Sequence, residues 1–93
     1  MTHIKDLHRT WMAEDEDYRT AYRDMAEAFE LARALIEARK RAGLSQSELA
    51  QRMKTSQSYI ARLESGRVVP SATALARFAR ATGTRLKIVF EPA

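Results

Sequence analysis

The sequence predicts an all-α bundle of short helices, with a helical extension at its N-terminus and one short β-strand at its C-terminus. Three observations carry this. Between Leu44 and Gly66 the chain reads LSQSELAQRMKTSQSYIARLESG, two short amphipathic helices around a tight turn. Upstream, Tyr18, Tyr22, Met25, Phe29, Ala32 and Ile36 recur four and three residues apart, the stripe of one long helix. Downstream, Leu86, Ile88 and Phe90 alternate with Arg85, Lys87 and Val89, which is the period of a strand. At 93 residues the chain has room for one small domain with a modest core.

The elements can be justified in order. Ile4, Leu7 and Trp11 recur at i, i+3 and i+7, enough for a short first helix in an otherwise polar stretch. Asp15, Glu16 and Asp17 start the long helix, because acidic side chains favour the positive end of the helix dipole. Met25 and Phe29 are expected in the core. The helix continues to about Ala42, and Gly43 closes it. Ser45 then caps the next helix, and Glu48 completes a capping box that turns Leu49, Ala50 and Met53 inward. Thr55 and Ser56 form the turn and cap of a helix from Gln57 to about Ser65, stopped by Gly66. Ser71 caps a last helix with Leu75, Phe78 and Ala79 inward, ended by Gly83. The strand Thr84–Phe90 has no partner in its own chain, so it is expected to pair with the same strand of a second subunit.

Composition narrows the function classes. With no cysteine the chain forms no disulfide or thiolate metal site, and it suits a reducing cytoplasm. The start of the chain is too charged for a signal peptide, and no apolar run approaches the length of a membrane span. His3 and His8 are the only histidines, and no acid–base pair or phosphate loop accompanies them, so neither an enzyme nor a metal or cofactor site is expected. Charge is unevenly divided. Residues 1–30 hold four Lys or Arg against eight Asp or Glu, a net of −4, whereas residues 31–93 hold twelve against four, a net of +8. One part suits a polyanion and the other a basic partner.

Two short helices around a tight turn are the layout of a helix-turn-helix, whose second helix enters the major groove of DNA. Ile60 and Leu63 anchor that helix to the core and leave Gln57, Ser58 and Arg62 on its free face. Glutamine suits adenine, and arginine suits guanine through O6 and N7. Gln46 opens the preceding helix, where side chain and backbone amides can grip phosphate. Residues 31–83 resemble the Cro/phage-repressor, or XRE, family of regulators through Arg39, Leu44, Ser45, Gln46, Leu49, Ala50, Ser56, Gln57, Ile60, Leu63, Glu64, Gly66, Pro70 and Leu75. The resemblance implies base reading by Gln57, Ser58 and Arg62, a Gln46 that steadies Gln57, and phosphate contacts from Tyr59, Arg67 and Lys54. It also implies a structural ion pair between Arg39 and Glu64. The chain departs from the family at Lys54, where glycine is usual because the turn needs a positive φ.

The remaining residues do not belong to a minimal DNA-binding module. An XRE module of residues 31–83 with an acidic helical extension (1–30) and a terminal strand and tail (84–93) is similar to antitoxins of the Hig type. That resemblance implies a cytoplasmic homodimer, joined through Leu86, Ile88 and Phe90, that binds double-stranded operator DNA and represses its own operon. It further implies neutralisation of a small basic ribonuclease toxin of the RelE-like, HigB-like type. Trp11, Tyr18 and Tyr22 are the candidate toxin contacts, since complementary charge speeds encounter between an acidic extension and a basic partner. The alternative is a stand-alone XRE repressor whose N-terminal helices serve only packing or dimerisation.

Overall fold

The computed structural model describes residues 16–93. The expected short first helix, Trp11, His3 and His8 lie outside the described residues. Among the described residues the order is α1 (Glu16–Arg41), α2 (Gln46–Met53), α3 (Gln57–Glu64) and α4 (Ala72–Ala81). None of these helices is long and apolar enough to cross a membrane.

Helices of eight to ten residues are too short to persist alone, so α2, α3 and α4 depend on caps and packing. Each is capped by a serine in extended conformation. The Ser45, Ser56 and Ser71 hydroxyls accept from the amides of Glu48 at 3.0 Å, Tyr59 at 3.1 Å and Ala74 at 3.1 Å. Around Ser45 the capping box is complete, because the Ser45 amide donates to Glu48 Oε1 at 3.0 Å. That backbone bond, with the Ser45 hydroxyl, holds the Glu48 carboxyl below its ordinary pKa. The box therefore contributes above the usual carboxylate range and is lost as pH falls through the lowered value.

The core is a single cluster of Leu35, Leu44, Leu49, Ala50, Met53, Ile60, Leu63 and Phe78. Leu49 and Ile60 are fully buried, each contributing about 1.5–3 kcal/mol through removal of apolar surface from water. Ala50 is 3% exposed, and its small side chain suits the close packing of α2 on α3. The helix ends are braced across the core. Arg77 Nη2 donates to the Met53 carbonyl at the end of α2, and Arg52 Nη1 donates to the Ala81 carbonyl at the end of α4 at 3.2 Å. Cations at helix C-termini satisfy carbonyls that have no intrahelical partner. Buried Thr82 does the same from its own position, donating to Phe78 O at 2.9 Å.

The long helix corrects one expectation. Met25 and Phe29, expected in the core, are 53% and 58% exposed. The face of α1 that packs is Leu31, Leu35, Ala38 and Ala42, with Ala32 also buried. A 26-residue helix is about 39 Å long, far longer than the 8–10-residue helices it packs against. Met25 and Phe29 lie on another side of the helix from that packed face, and Phe29 sits beside the loop after α3, its Cδ1 3.7 Å from where a Cβ on Gly66 would stand. The terminal strand also goes beyond what one chain forms: residues 84–93 carry no helix or strand, and no strand occurs among the described residues. Leu86, Ile88 and Phe90 are all exposed, Phe90 at 96%. A strand requires a neighbour, which a single chain does not supply here.

Candidate nucleic-acid interface

The turn between α2 and α3 positions the rest of the site. Lys54 has φ 55° and ψ 47°, left-handed geometry, and is the one non-glycine residue with positive φ among the described residues. The Thr55 amide donates to Ala50 O at 2.9 Å and the Lys54 amide to Gln51 O at 3.2 Å. These two bonds close α2 in a Schellman arrangement and redirect the chain within two residues. A lysine there carries a cost of about 1–2 kcal/mol. Lys54→Gly is therefore expected to stabilise the domain by about 0.5–1 kcal/mol in urea unfolding, part of the relief being offset by glycine's unfolded-state entropy. A loss of stability would contradict this account of the turn.

α3 buries Ile60 and Leu63 and leaves Gln57, Ser58 and Arg62 exposed. Those three side chains share the outward side of a helix held at both ends. At its start, the Ser56 cap also hydrogen-bonds the Ser58 hydroxyl at 3.1 Å. At its end, Gly66 adopts φ 77°, and a Cβ there would stand 3.5 Å from the Ala28 carbonyl of α1. The loop after α3 thus runs close over α1, with Arg67 and Val69 exposed and Val68 against the core.

The expected Arg39–Glu64 pair is present and joins α1 to the end of α3. Arg39 Nε donates to Glu64 Oε2 at 2.7 Å and Nη2 to Oε1 at 2.9 Å, while Nη1 donates to the Leu44 carbonyl at 2.9 Å. The side chains are 13% and 5% exposed. Hydrogen bonding to Glu64 pushes the Arg39 pKa above its ordinary value, and burial acts in the opposite direction. The guanidinium fork is thus a fixed, charged strut.

The glutamine arrangement differs from the expected one. Gln46 Nε2 donates to Glu64 Oε1 at 3.3 Å, so Gln46 belongs to the strut rather than steadying Gln57. The partner of Gln57 is Ser47, whose hydroxyl donates to Gln57 Oε1 at 3.0 Å. Sequence reasoning missed Ser47, although its position one residue after Gln46 could have raised it. The bond fixes the Gln57 carboxamide and leaves both Nε2 protons free to donate.

Of the other expected contacts, Arg67 and Lys54 are exposed and Tyr59 is half-buried against the core. Arg62 forms no ion pair among the described residues. The first-turn amides at Gln46 and Ser47 open the positive end of α2, a setting that favours an anion. Together these groups form a polar, partly cationic surface around the exposed face of α3. It can donate to base edges from α3 and to phosphates from either side. On α1, Tyr18 is half-buried and Tyr22 is exposed.

Comparison with known proteins agrees with this geometry. Two curated relatives, each named Antitoxin HigA1 and drawn from two strains of Mycobacterium tuberculosis, are 38% identical over 80 residues. The alignment takes in 86% of this chain and 54% of each relative, so the chain spans about half the length of the curated relatives it matches. No solved structure matches. The profile of the family described as the helix-turn-helix domain matches residues 30–86, which contain α2, the Lys54 turn, α3 and α4. The chain belongs to the helix-turn-helix domain family.

Proposed function

We propose that this chain is an antitoxin: a dimeric, sequence-specific DNA-binding protein that represses its own operon and neutralises a small basic RelE-like ribonuclease toxin by binding it. The DNA half rests on one observation above the rest, the exposed Gln57–Ser58–Arg62 face on a helix fixed by the Lys54 turn and the Arg39–Glu64 strut. In this reading Gln57, Ser58 and Arg62 read base edges in the major groove. The start of α2 at Gln46, with Tyr59, Arg67 and Lys54, holds the phosphates and sets the register. The toxin half is supported by the likeness to Antitoxin HigA1 over most of the chain and by the acidic charge of residues 1–30.

Co-expression with the neighbouring reading frame tests the proposal. A small basic protein should co-purify with the chain, and the chain's own upstream DNA should be shifted at nanomolar concentration, as specific complexes of this kind are. A chain that binds that DNA but captures no neighbour is a stand-alone repressor. That second reading draws on the helix-turn-helix module closing its core without the exposed stripe of α1.

Dimerisation is assigned to the terminal segment. Leu86, Ile88 and Phe90 lie exposed on a chain end that has no described partner strand. Removing residues 84–93 is expected to give monomers in sedimentation equilibrium. It should also weaken operator binding steeply, because two linked half-sites gain from effective concentration. A truncated chain that remains a tight dimer would place the seam elsewhere.

A further inference from the structure

The segment after α4 leaves that helix from a fixed point. The Thr84 amide donates to the Ala79 carbonyl at 2.9 Å, and the Thr84 hydroxyl donates to the same oxygen at 3.3 Å. Residues 84–87 then wall a groove of about 280 Å³ whose floor is Leu31 and Leu35 of α1 with Leu75 and Phe78 of α4. Ala34, exposed on α1, lines it too. Beyond the groove Ile88, Val89 and Phe90 are 64%, 60% and 96% exposed, so the chain's own aromatic does not fill it. Arg85, Lys87 and Glu91 form no ion pair among the described residues.

We propose that this groove receives Phe90 of a second copy, through antiparallel pairing of the two terminal segments centred on Ile88. The inference rests on the reading of residues 84–93 as the dimer seam, and adds its register and the site that each copy offers the other. Side chains directly opposite in an antiparallel pair share a face, so Leu86, Ile88 and Phe90 must meet one another. Registers centred on Leu86 or Lys87 set Arg85 against Lys87 or Lys87 against itself, like charges that oppose pairing. Those centred on Val89 or Phe90 set Leu86 or Ile88 opposite Pro92, which has no amide to donate. Centred on Ile88, Leu86 meets Phe90, Ile88 meets itself, and Arg85 meets Glu91, the one acidic residue in 84–93. Pro92 then falls opposite Thr84, whose amide Ala79 already takes. Because Leu86 is part of the groove wall, the Phe90 opposite it is directed to the same apolar floor. The cations Arg85 and Lys87 suit an aromatic followed by a carboxylate, as Phe90 is by Glu91, and disfavour a basic occupant.

The test uses the full-length chain, whose lack of cysteine makes single-cysteine variants clean probes. Under mild oxidation Ile88→Cys should cross-link into a covalent dimer, since opposed Cβ atoms stand about 5 Å apart, whereas Lys87→Cys and Val89→Cys should not. Phe90→Ala empties the groove and Ala34→Arg fills it. Each should weaken dimerisation about 30-fold or more in sedimentation equilibrium, as central interface residues do, with the monomer's melting temperature within about 3 °C of the parent. Arg85→Glu should weaken the dimer several-fold, and Arg85→Glu/Glu91→Arg should restore it to within twofold. Preferential cross-linking at 87 or 89, or a charge swap that restores nothing, overturns the register. An Ala34→Arg dimer as tight as the parent overturns the groove; both results leave the terminal seam standing. A full-length chain that does not dimerise removes the seam and this proposal with it. If Ala34→Arg spares the dimer and abolishes capture of the basic neighbour, the groove belongs to that partner. If it lowers the monomer's melting temperature by more than about 10 °C, other residues of the same chain cover the groove. Either of those results overturns the proposal.

Discussion

Glu64→Ala is expected to destabilise the domain by about 3 kcal/mol, seen as a fall in melting temperature of roughly 15 °C by circular dichroism. The carboxylate is 5% exposed and accepts three hydrogen bonds, two from Arg39 and one from Gln46. Its removal leaves the Arg39 guanidinium, 13% exposed, with only the Leu44 carbonyl as partner. An uncompensated, largely buried charge is the dominant cost; the attraction lost is the smaller part. The paired variant Arg39→Met/Glu64→Leu removes both charges and should recover most of the loss, because an apolar pair fills the site without a desolvation penalty. Gln46→Ala deletes one bond of 3.3 Å and should cost less than 1 kcal/mol. A Glu64→Ala protein as stable as the parent would mean that the pair is solvated and that α3 is held by Ile60 and Leu63 alone.

The success and failure of the sequence reading have separate physical causes. Features determined by neighbouring residues were legible. The Ser45–Glu48 capping box and the Ser56 and Ser71 caps follow from which backbone amides a few consecutive residues must satisfy, whereas the left-handed turn at Lys54 was legible only through the family resemblance. The inward sets Leu49–Ala50–Met53 and Ile60–Leu63 followed because short helices have one apolar stripe and only one core to face. What the pattern misplaced or left open depends on objects that it does not contain. Periodicity puts Met25 and Phe29 on one face of α1 without showing which face the core covers, and the core takes Leu31, Leu35, Ala38 and Ala42 instead. The alternation Leu86–Ile88–Phe90 specifies two faces of a strand without its hydrogen-bonding partner. The carbonyls that Arg52 and Arg77 brace lie 29 and 24 residues away in sequence, a pairing that no local pattern contains. Gln57 is the finest case. Its position was legible, but its partner is chosen by the crossing of α2 and α3, which brings the Ser47 hydroxyl within reach and directs Gln46 to Glu64.

That crossing gives the DNA-binding proposal its sharpest expected result. Arg62→Ala should lower affinity for the chain's own upstream DNA by roughly 10–100-fold and leave random DNA almost unaffected, since one bidentate base contact carries about 1–3 kcal/mol of discrimination. Arg67→Ala should behave differently. It sits in the loop after α3 with its side chain exposed, so it should weaken specific and random sequences alike and reduce the slope of log affinity against log salt by about one. Gln57→Ala should resemble Arg62→Ala at a different base pair. Ser47→Ala then tests the geometry itself: the serine points at Gln57 rather than at solvent alone, so its loss frees the carboxamide to rotate. Operator affinity should fall several-fold through lost preorganisation, random DNA should not, and Gln57→Ala/Ser47→Ala should be no worse than Gln57→Ala. A strictly additive double variant would show Ser47 acting on DNA independently, and equal losses on operator and random DNA for both Arg62 and Arg67 would take α3 out of the major groove altogether.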